Sequence, residues 1–247
     1  MQQETEDTQE EDDTTRERFI AYFDILGFKE RIWRTEHHEL VQTMRWLRKD
    51  LLEVTRRTVE VHRKTLKPTN PERVHFVQFS DSILFVTDND SRDAASILMH
   101  KCTRFVALCA AKHLPVKGVL AHGLFTADFG ASLYLGQPLI DAYLLEEQVK
   151  LYGAILHHSA EKKMSEEGLI PDHMCCVQYA TPLQGKTVTH YNLNWAWAAA
   201  VLLGLNLEEL RNSLYHQVSG QARIYVDNTF AFVDKVAKQH EHQELPS

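Results

Sequence analysis

The sequence predicts an α+β sandwich, a mainly antiparallel sheet with helices on one face and a helical extension at the C-terminal end. Three observations point there. Short runs rich in aromatic and β-branched residues alternate with longer stretches of three- and four-residue apolar spacing. Two pairs of such short runs, within 74–86 and 174–192, read as hairpins. Three helical patterns fill the last third, with no Gly/Ser-rich linker before them, so they extend the same domain. The expected division is an acidic disordered tail over 1–16, a core over 17–160, and a hairpin and helices over 161–247.

In order along the chain, residues 18–25 (RFIAYFDI) form a buried strand that ends at Leu26, Gly27 and Phe28. A short helix follows, broken over 35–38 from an amphipathic helix that carries Leu40, Met44, Leu47, Leu51 and Val54. Pro68 and Pro71 close that region. Residues 74–86 (VHFVQFSDSILFV) form a hairpin with Asp81 at or beside the turn, although Ser-Asp is not a favoured turn pair. Asp90 or Ser91 caps a helix with Ala94, Ile97, Leu98, Cys102, Phe105 and Cys109 on one face. A strand over 116–125 comes after Pro115. No glycine lies between Phe28 and Lys117, whereas Gly118, Gly123, Gly130, Gly136 and Gly153 fall within 36 residues, so tight backbone passages belong to this second stretch. A short strand over 132–135, a helix over 138–151 and a final core strand over 153–157 complete the core. A hairpin turning at Gln184–Gly185 and helices over 195–203, 207–218 and 222–238 make the extension.

Composition narrows the function. The 247 residues are 44% hydrophobic and 25% charged, enough for a core without disulfides or structural metal. The longest nearly apolar run, 195–205, has 11 residues, short of the ~20 that span a bilayer, and the polar, acidic N-terminus is neither a signal nor a transit peptide. A cytoplasmic protein without a membrane partner is expected. Seven acids and no base within residues 1–13 account for the whole net charge of −7, which leaves the body neutral. A neutral body argues against a nucleic-acid partner. The four cysteines form no C-x-x-C pair and read as reduced, partly buried thiols. The 14 histidines show no metal-binding spacing.

Chemistry concentrates at Asp24 and Asp81. An ionised carboxylate near the end of an apolar strand needs a partner. Gly27 lets backbone N–H groups at a strand-to-helix turn approach phosphate oxygens. If the hairpin brings Asp81 to Asp24, the pair can hold two divalent ions ~3.5–4 Å apart, as in-line phosphoryl chemistry requires. The competing reading is plain: strand-end acids often only cap turns, and 34 acidic residues make two such positions ordinary.

The ordered motifs resemble the class III nucleotidyl cyclases. Asp24-Ile25-Leu26-Gly27-Phe28 is similar to that family's D-I-x-G-F segment, Phe79-Ser80-Asp81-Ser82-Ile83 to its second acidic hairpin, and 117–123 (KGVLAHG) to its R-x-G-I-x-x-G strand. Residues 136–146 (GQPLIDAYLLE) resemble its G-x-x-V-N-x-A-x-R-L-E helix start. Together these cover roughly 18–160. The departures matter equally. Val77 and Leu133 stand where adenylate cyclases read adenine, and Ile140 and Leu144 stand where the helix Asn and the transition-state Arg belong. A compact subgroup, the bacterial Pycsar antiphage cyclases, resembles this chain in the F-D-I-L-G-F and F-S-D-S pair, the helix of 136–146 and the late segment 223–229 (RIYVDNT).

The resemblance implies a ferredoxin-like class III cyclase core that converts UTP or CTP, with UTP favoured, to the 3′,5′-cyclic monophosphate and pyrophosphate in antiphage defence. It implies two divalent ions, Mn2+ or Mg2+, on Asp24, Asp81 and the Ile25 carbonyl. The amides of Leu26, Gly27 and Phe28 would hold the triphosphate, and a homodimer would place the sites at its interface. For the missing Arg, Lys150, taken to lie on the same helix, Lys117, or an arginine of a second protomer are candidates. Tyr22 shares a strand face with Asp24 and can approach the nucleotide. Two other readings stay open: a cyclase-like module that binds nucleotide without turnover, and another two-metal enzyme on a palm-like sheet, although the G-G-D-E-F hairpin of diguanylate cyclases is absent.

Overall fold

The computed structural model describes residues 14–49, 73–171 and 173–243. The acidic segment 1–13 lies outside them, as do Leu51, Val54, Pro68 and Pro71. In chain order the elements are β1 (Thr15–Ile25), α1 (Phe28–Arg34), α2 (37–49), β2 (Val74–Phe79), β3 (Ser82–Thr87), α3 (Arg92–Ala111), β4 (Val116–Asp128), β5 (Leu133–Gly136), α4 (Gln137–Gln148) and β6 (Gly153–Leu156). There follow α5 (His158–Glu166), β7 (Cys176–Leu183), β8 (Lys186–Leu193), α6 (Trp195–Trp197), which runs into a π-helical turn (Ala198–Leu202), α7 (Leu207–Gln217) and α8 (Arg223–Gln243). β1 begins inside the expected tail, since Thr15 and Arg16 already pair with Thr126 and Phe125 of β4.

The eight strands form one sheet of order β2-β3-β1-β4-β6-β8-β7, and β5 adds to the far half of β4. Every pairing is antiparallel except β4 with β6, where α4 makes the crossover that a parallel pair needs. The hairpin β7–β8 continues this sheet through Ile155 and Asn192. Gly153–Leu156 is therefore not the last core strand, and the expected extension shares the sheet.

The alternation of β1 sorts its side chains between two cores. Phe19, Ala21, Phe23 and Ile25 face α3, whose expected apolar face is wholly buried. Rings of Phe23, Phe85 and Phe105 meet edge-on there, 4.9–5.8 Å between centres. Gly118 sits opposite Phe23 because a Cβ would lie 2.3 Å from that ring. The buried residues of α1, α2, α5, α7 and α8 join this face as well. Ile20 and Tyr22 face the other way, under α4, which packs Ala142 against Val119 and Ala121. Among the described residues α4 is the one helix on that side.

Ser91, of the two expected caps, accepts the Ala94 N–H at 3.1 Å and starts α3. By length and composition α3 is apolar enough to cross a bilayer, although charged residues interrupt its apolar run, but 72% of that stretch is buried inside the protein. All four cysteines are buried and unpaired.

Candidate functional site

Strand register aligns the site. On the α4 side of the sheet, cross-strand partners form one row: Phe79 opposite Ser82, Ser82 opposite Asp24, Asp24 opposite Lys117, and Lys117 opposite Gly153. Partners in a ladder point to the same face, so the row presents an aromatic ring, a hydroxyl, a carboxylate, an ammonium and a glycine in sequence. Phe79, at its end, is 83% exposed.

Asp24 and Asp81 come together. The Ile25 N–H donates to the Asp81 carbonyl at 3.2 Å, which fastens the β2–β3 turn to the end of β1. Ser80 holds that turn in the left-handed region at φ 56°, a strained conformation for a residue with a side chain. Asp24 is half-buried. Burial first, and then the charge of Asp81, push its carboxyl above the usual carboxylate range, and Lys117 opposes the rise.

Lys117 does not stand free to meet a phosphate. Its Nζ lies 2.9 Å from Glu146 Oε1 and donates to the Glu146 main-chain oxygen at 3.1 Å, both side chains being buried. Burial raises the Glu146 carboxyl, the Lys117 cation lowers it, and Asp24 raises it again. Tyr22 donates or accepts a 3.1 Å hydrogen bond with Ser82 Oγ and meets the Tyr143 ring edge-on. Burial lifts its phenol above the ordinary range, opposed by that hydrogen bond.

After β1 the chain turns at Gly27, φ 68°, where a Cβ would meet only Glu30 Oε2 at 4.0 Å, so the backbone conformation rather than space calls for glycine. The amides of Gly27 and Phe28 precede the first intrahelical bond, from Arg31 N–H to Gly27 O at 3.1 Å. The Leu26 amide differs from expectation: it donates to Pro115 O at 2.9 Å, which occupies the N–H that was to hold phosphate.

Lys150 is also placed differently. It is not on α4, which stops at Gln148 because Val149 turns extended and bridges to Leu183. Lys150 instead lies in the connector to β6, and its Nζ donates to the Tyr225 hydroxyl at 3.1 Å. Ile140 and Leu144, on α4, are 53% and 51% exposed and offer hydrocarbon where the resemblance expects Asn and Arg.

The oxygen set of Asp24, Asp81 and the Ile25 carbonyl suits a hard divalent cation that keeps waters and takes further ligands from phosphate. Among the described residues no group of three or more His, Cys, Asp or Glu is disposed to hold a metal by protein ligands alone. Sequence reasoning passed over Ser82, Glu146 and Tyr225 as members of the site. Glu146 was findable, since Pro138, Ala142 and Glu146 repeat every four residues and share the buried face of α4.

No protein-family model matches the chain, and no curated protein matches it. Solved structures do. The catalytic core of a rhodopsin-guanylyl cyclase with converted specificity, in complex with ATPαS, has a TM-score of 0.52 at 14% identity over 72% of this chain and 97% of that one. The monomeric guanylyl cyclase domain of the RhoGC fusion protein from the aquatic fungus Blastocladiella emersonii has a TM-score of 0.52 at 14% identity over 73% and 98%. A dimeric form of the guanylyl cyclase domain of that fusion protein has 0.52 at 15% over 73% and 97%. At such identities the likeness is one of fold: the chain has the class III cyclase catalytic fold.

Proposed function

We propose that the protein is a nucleotidyl cyclase acting on a nucleoside triphosphate, with UTP or CTP as substrate and UTP favoured. The observation that carries this reading is the meeting of Asp24 and Asp81 at the end of β1, beside the turn at Gly27, on a cyclase fold. The ribose 3′-oxygen attacks the α-phosphorus, its proton passes to solvent, the bond from the α-phosphorus to the bridging oxygen breaks, and pyrophosphate leaves with the electron pair. Asp24, Asp81 and the Ile25 carbonyl would hold two divalent ions. Bound there, Mn2+ or Mg2+ would polarise the α-phosphate and acidify the 3′-hydroxyl. The Gly27 and Phe28 amides orient the polyphosphate, Tyr22 lies along the nucleotide's path, and Lys150 supplies positive charge; positioning does much of the work.

A homodimer is part of the reading. Ile140, Tyr143 and Leu144, on α4, are exposed apolar residues of the helix that packs on the site's side of the sheet, the surface a second copy would cover. The antiphage role and the pyrimidine preference rest on the motif resemblance. The exposed hydrocarbon of Ile140 and Leu144 favours one competing reading, a cyclase-like domain that binds nucleotide without turnover. Incubating the purified protein with each of the four nucleoside triphosphates and Mn2+, with mass detection of products, separates them. A cyclic pyrimidine monophosphate lost in Asp24→Asn supports cyclase activity. Nucleotide binding without any cyclic product supports the binding module.

A further inference from the structure

The C-terminal helix reaches back to the site. Tyr225, Asn228 and Thr229 lie at i, i+3 and i+4 on one face of α8, and each grips the segment that carries Lys150. Asn228 Nδ2 donates to Lys150 O at 2.7 Å, Thr229 Oγ1 accepts the Tyr152 N–H at 2.8 Å, and the Tyr225 and Tyr152 rings stack 5.8 Å apart at 12°. From the other side Lys150 N–H donates to Pro182 O at 3.0 Å. Both main-chain polar groups of Lys150 are thereby fixed, and only its side chain remains to be aimed.

Tyr225 aims it. The Lys150 ammonium donates to the Tyr225 hydroxyl and stands 5.5 Å from the ring centre, and Lys117 Nζ stands 5.8 Å from that same centre. The two ammoniums thus share a ring, and Lys117 is the cross-strand partner of Asp24. Their charges are answered differently. Lys117 is sealed against Glu146, whereas among the described residues Lys150 has no carboxylate partner. A neutral hydroxyl that orders a lysine leaves its charge unspent, which suits a cation meant for an incoming polyanion. α4 supplies no such cation, because Leu144 stands there.

We propose that Tyr225 is a positioning residue that aims the Lys150 ammonium at the substrate's triphosphate, so that α8 completes the positive side of the site. This rests on the cyclase reading above. The test uses the full chain with three variants, Tyr225→Phe, Lys150→Met and Lys150→Arg, and the double variant Tyr225→Phe/Lys150→Met. Binding of pyrophosphate with Mn2+ is measured by titration calorimetry, alongside kcat, KM and urea unfolding. Lys150→Met is expected to weaken pyrophosphate binding about ten- to a hundredfold, the worth of one hydrogen bond to a charged group, and Lys150→Arg to recover most of it. Tyr225→Phe keeps the ring and its stacking, and should weaken binding about three- to tenfold and lower kcat more than it raises KM, with the urea midpoint unchanged.

The double variant should be no worse than Lys150→Met alone, because the hydroxyl acts through the lysine. Additive losses, or a Tyr225→Phe protein that binds pyrophosphate as the parent does, overturn the assignment. So does a parent protein that does not bind pyrophosphate. A parent that binds it, is weakened by Tyr225→Phe and by Lys150→Met, and yet makes no cyclic nucleotide sustains the assignment and sinks the cyclase reading.

Discussion

Lys117 and Glu146 form an ion pair 2.9 Å long whose two side chains are both nearly sealed from water, and Asp24 faces that lysine directly across the β1–β4 ladder. The lysine therefore serves two carboxylates, one buried and structural, the other half-buried and open to the site. Removing it leaves Glu146 as an uncompensated charge. Lys117→Met is expected to cost about 3–5 kcal/mol in urea unfolding, while Lys117→Met/Glu146→Leu recovers most of the loss, since replacing both charges relieves the desolvation. A single variant as stable as the parent would contradict the pairing.

Asp24 costs the fold stability once it ionises. Its carboxyl and that of Glu146 are both raised in the folded protein. Between the unfolded and folded pKa values the native state binds more protons, so stability on this account is fullest at acid pH and declines as pH rises through the folded values. Asp24→Asn should flatten that decline and leave the protein more stable at neutral pH. Urea midpoints collected across the acid-to-neutral range check this.

On the proposed cyclase reading, the same carboxyl would set the acid limb of activity. Asp24 would hold a cation only when ionised, so on that reading kcat/KM for the free enzyme is expected to fall on acidification at a pH above the ordinary carboxylate range. Asp24→Asn or Asp81→Asn should cut kcat by about a thousandfold or more, roughly 4 kcal/mol of barrier. A pH–rate profile with cyclic product as the readout measures both.

The apolar surface beside the site tests the dimer. Leu144→Asp places a charge on exposed hydrocarbon of α4 and should leave folding within about 0.5 kcal/mol of the parent. In sedimentation it should move the protein toward monomer, and its specific activity should fall on dilution. A parent chain that is monomeric and fully active at all concentrations removes the shared-site reading.

Gly118→Ala should cost about 1–3 kcal/mol, because the added methyl would sit within the Phe23 ring's space and force the aromatic core to shift. Urea unfolding gives the value directly.

Local features were legible. The strand that carries Asp24, the hairpin that carries Asp81, the cap at Ser91 (one of two offered) and the buried face of α3 all follow from local patterns. What escaped depends on distant partners. Lys150 continues an apparently helical run, and only the bridge from Val149 to Leu183 ends α4 at Gln148. The run 195–203 looks helical, and it widens to a π turn at Ala198–Leu202 that its local spacing does not reveal. Nothing within β7–β8 says that it joins the main sheet, because strand pairing is written in both partners. Glu146 broke the rule that carboxylates stay outside; its cation lies 29 residues earlier in sequence.

The contact of Phe23 with Gly118 reaches beyond packing. A strand slipped by one place would turn its alternate faces over, driving the carboxylate of position 24 into hydrocarbon and a benzyl group out to the water. In the observed register the ring lies over Gly118, where a β-carbon would stand 2.3 Å from it. Folding itself thus chooses which acid looks outward, so the place proposed for cations would be decided before any ion or nucleotide arrived.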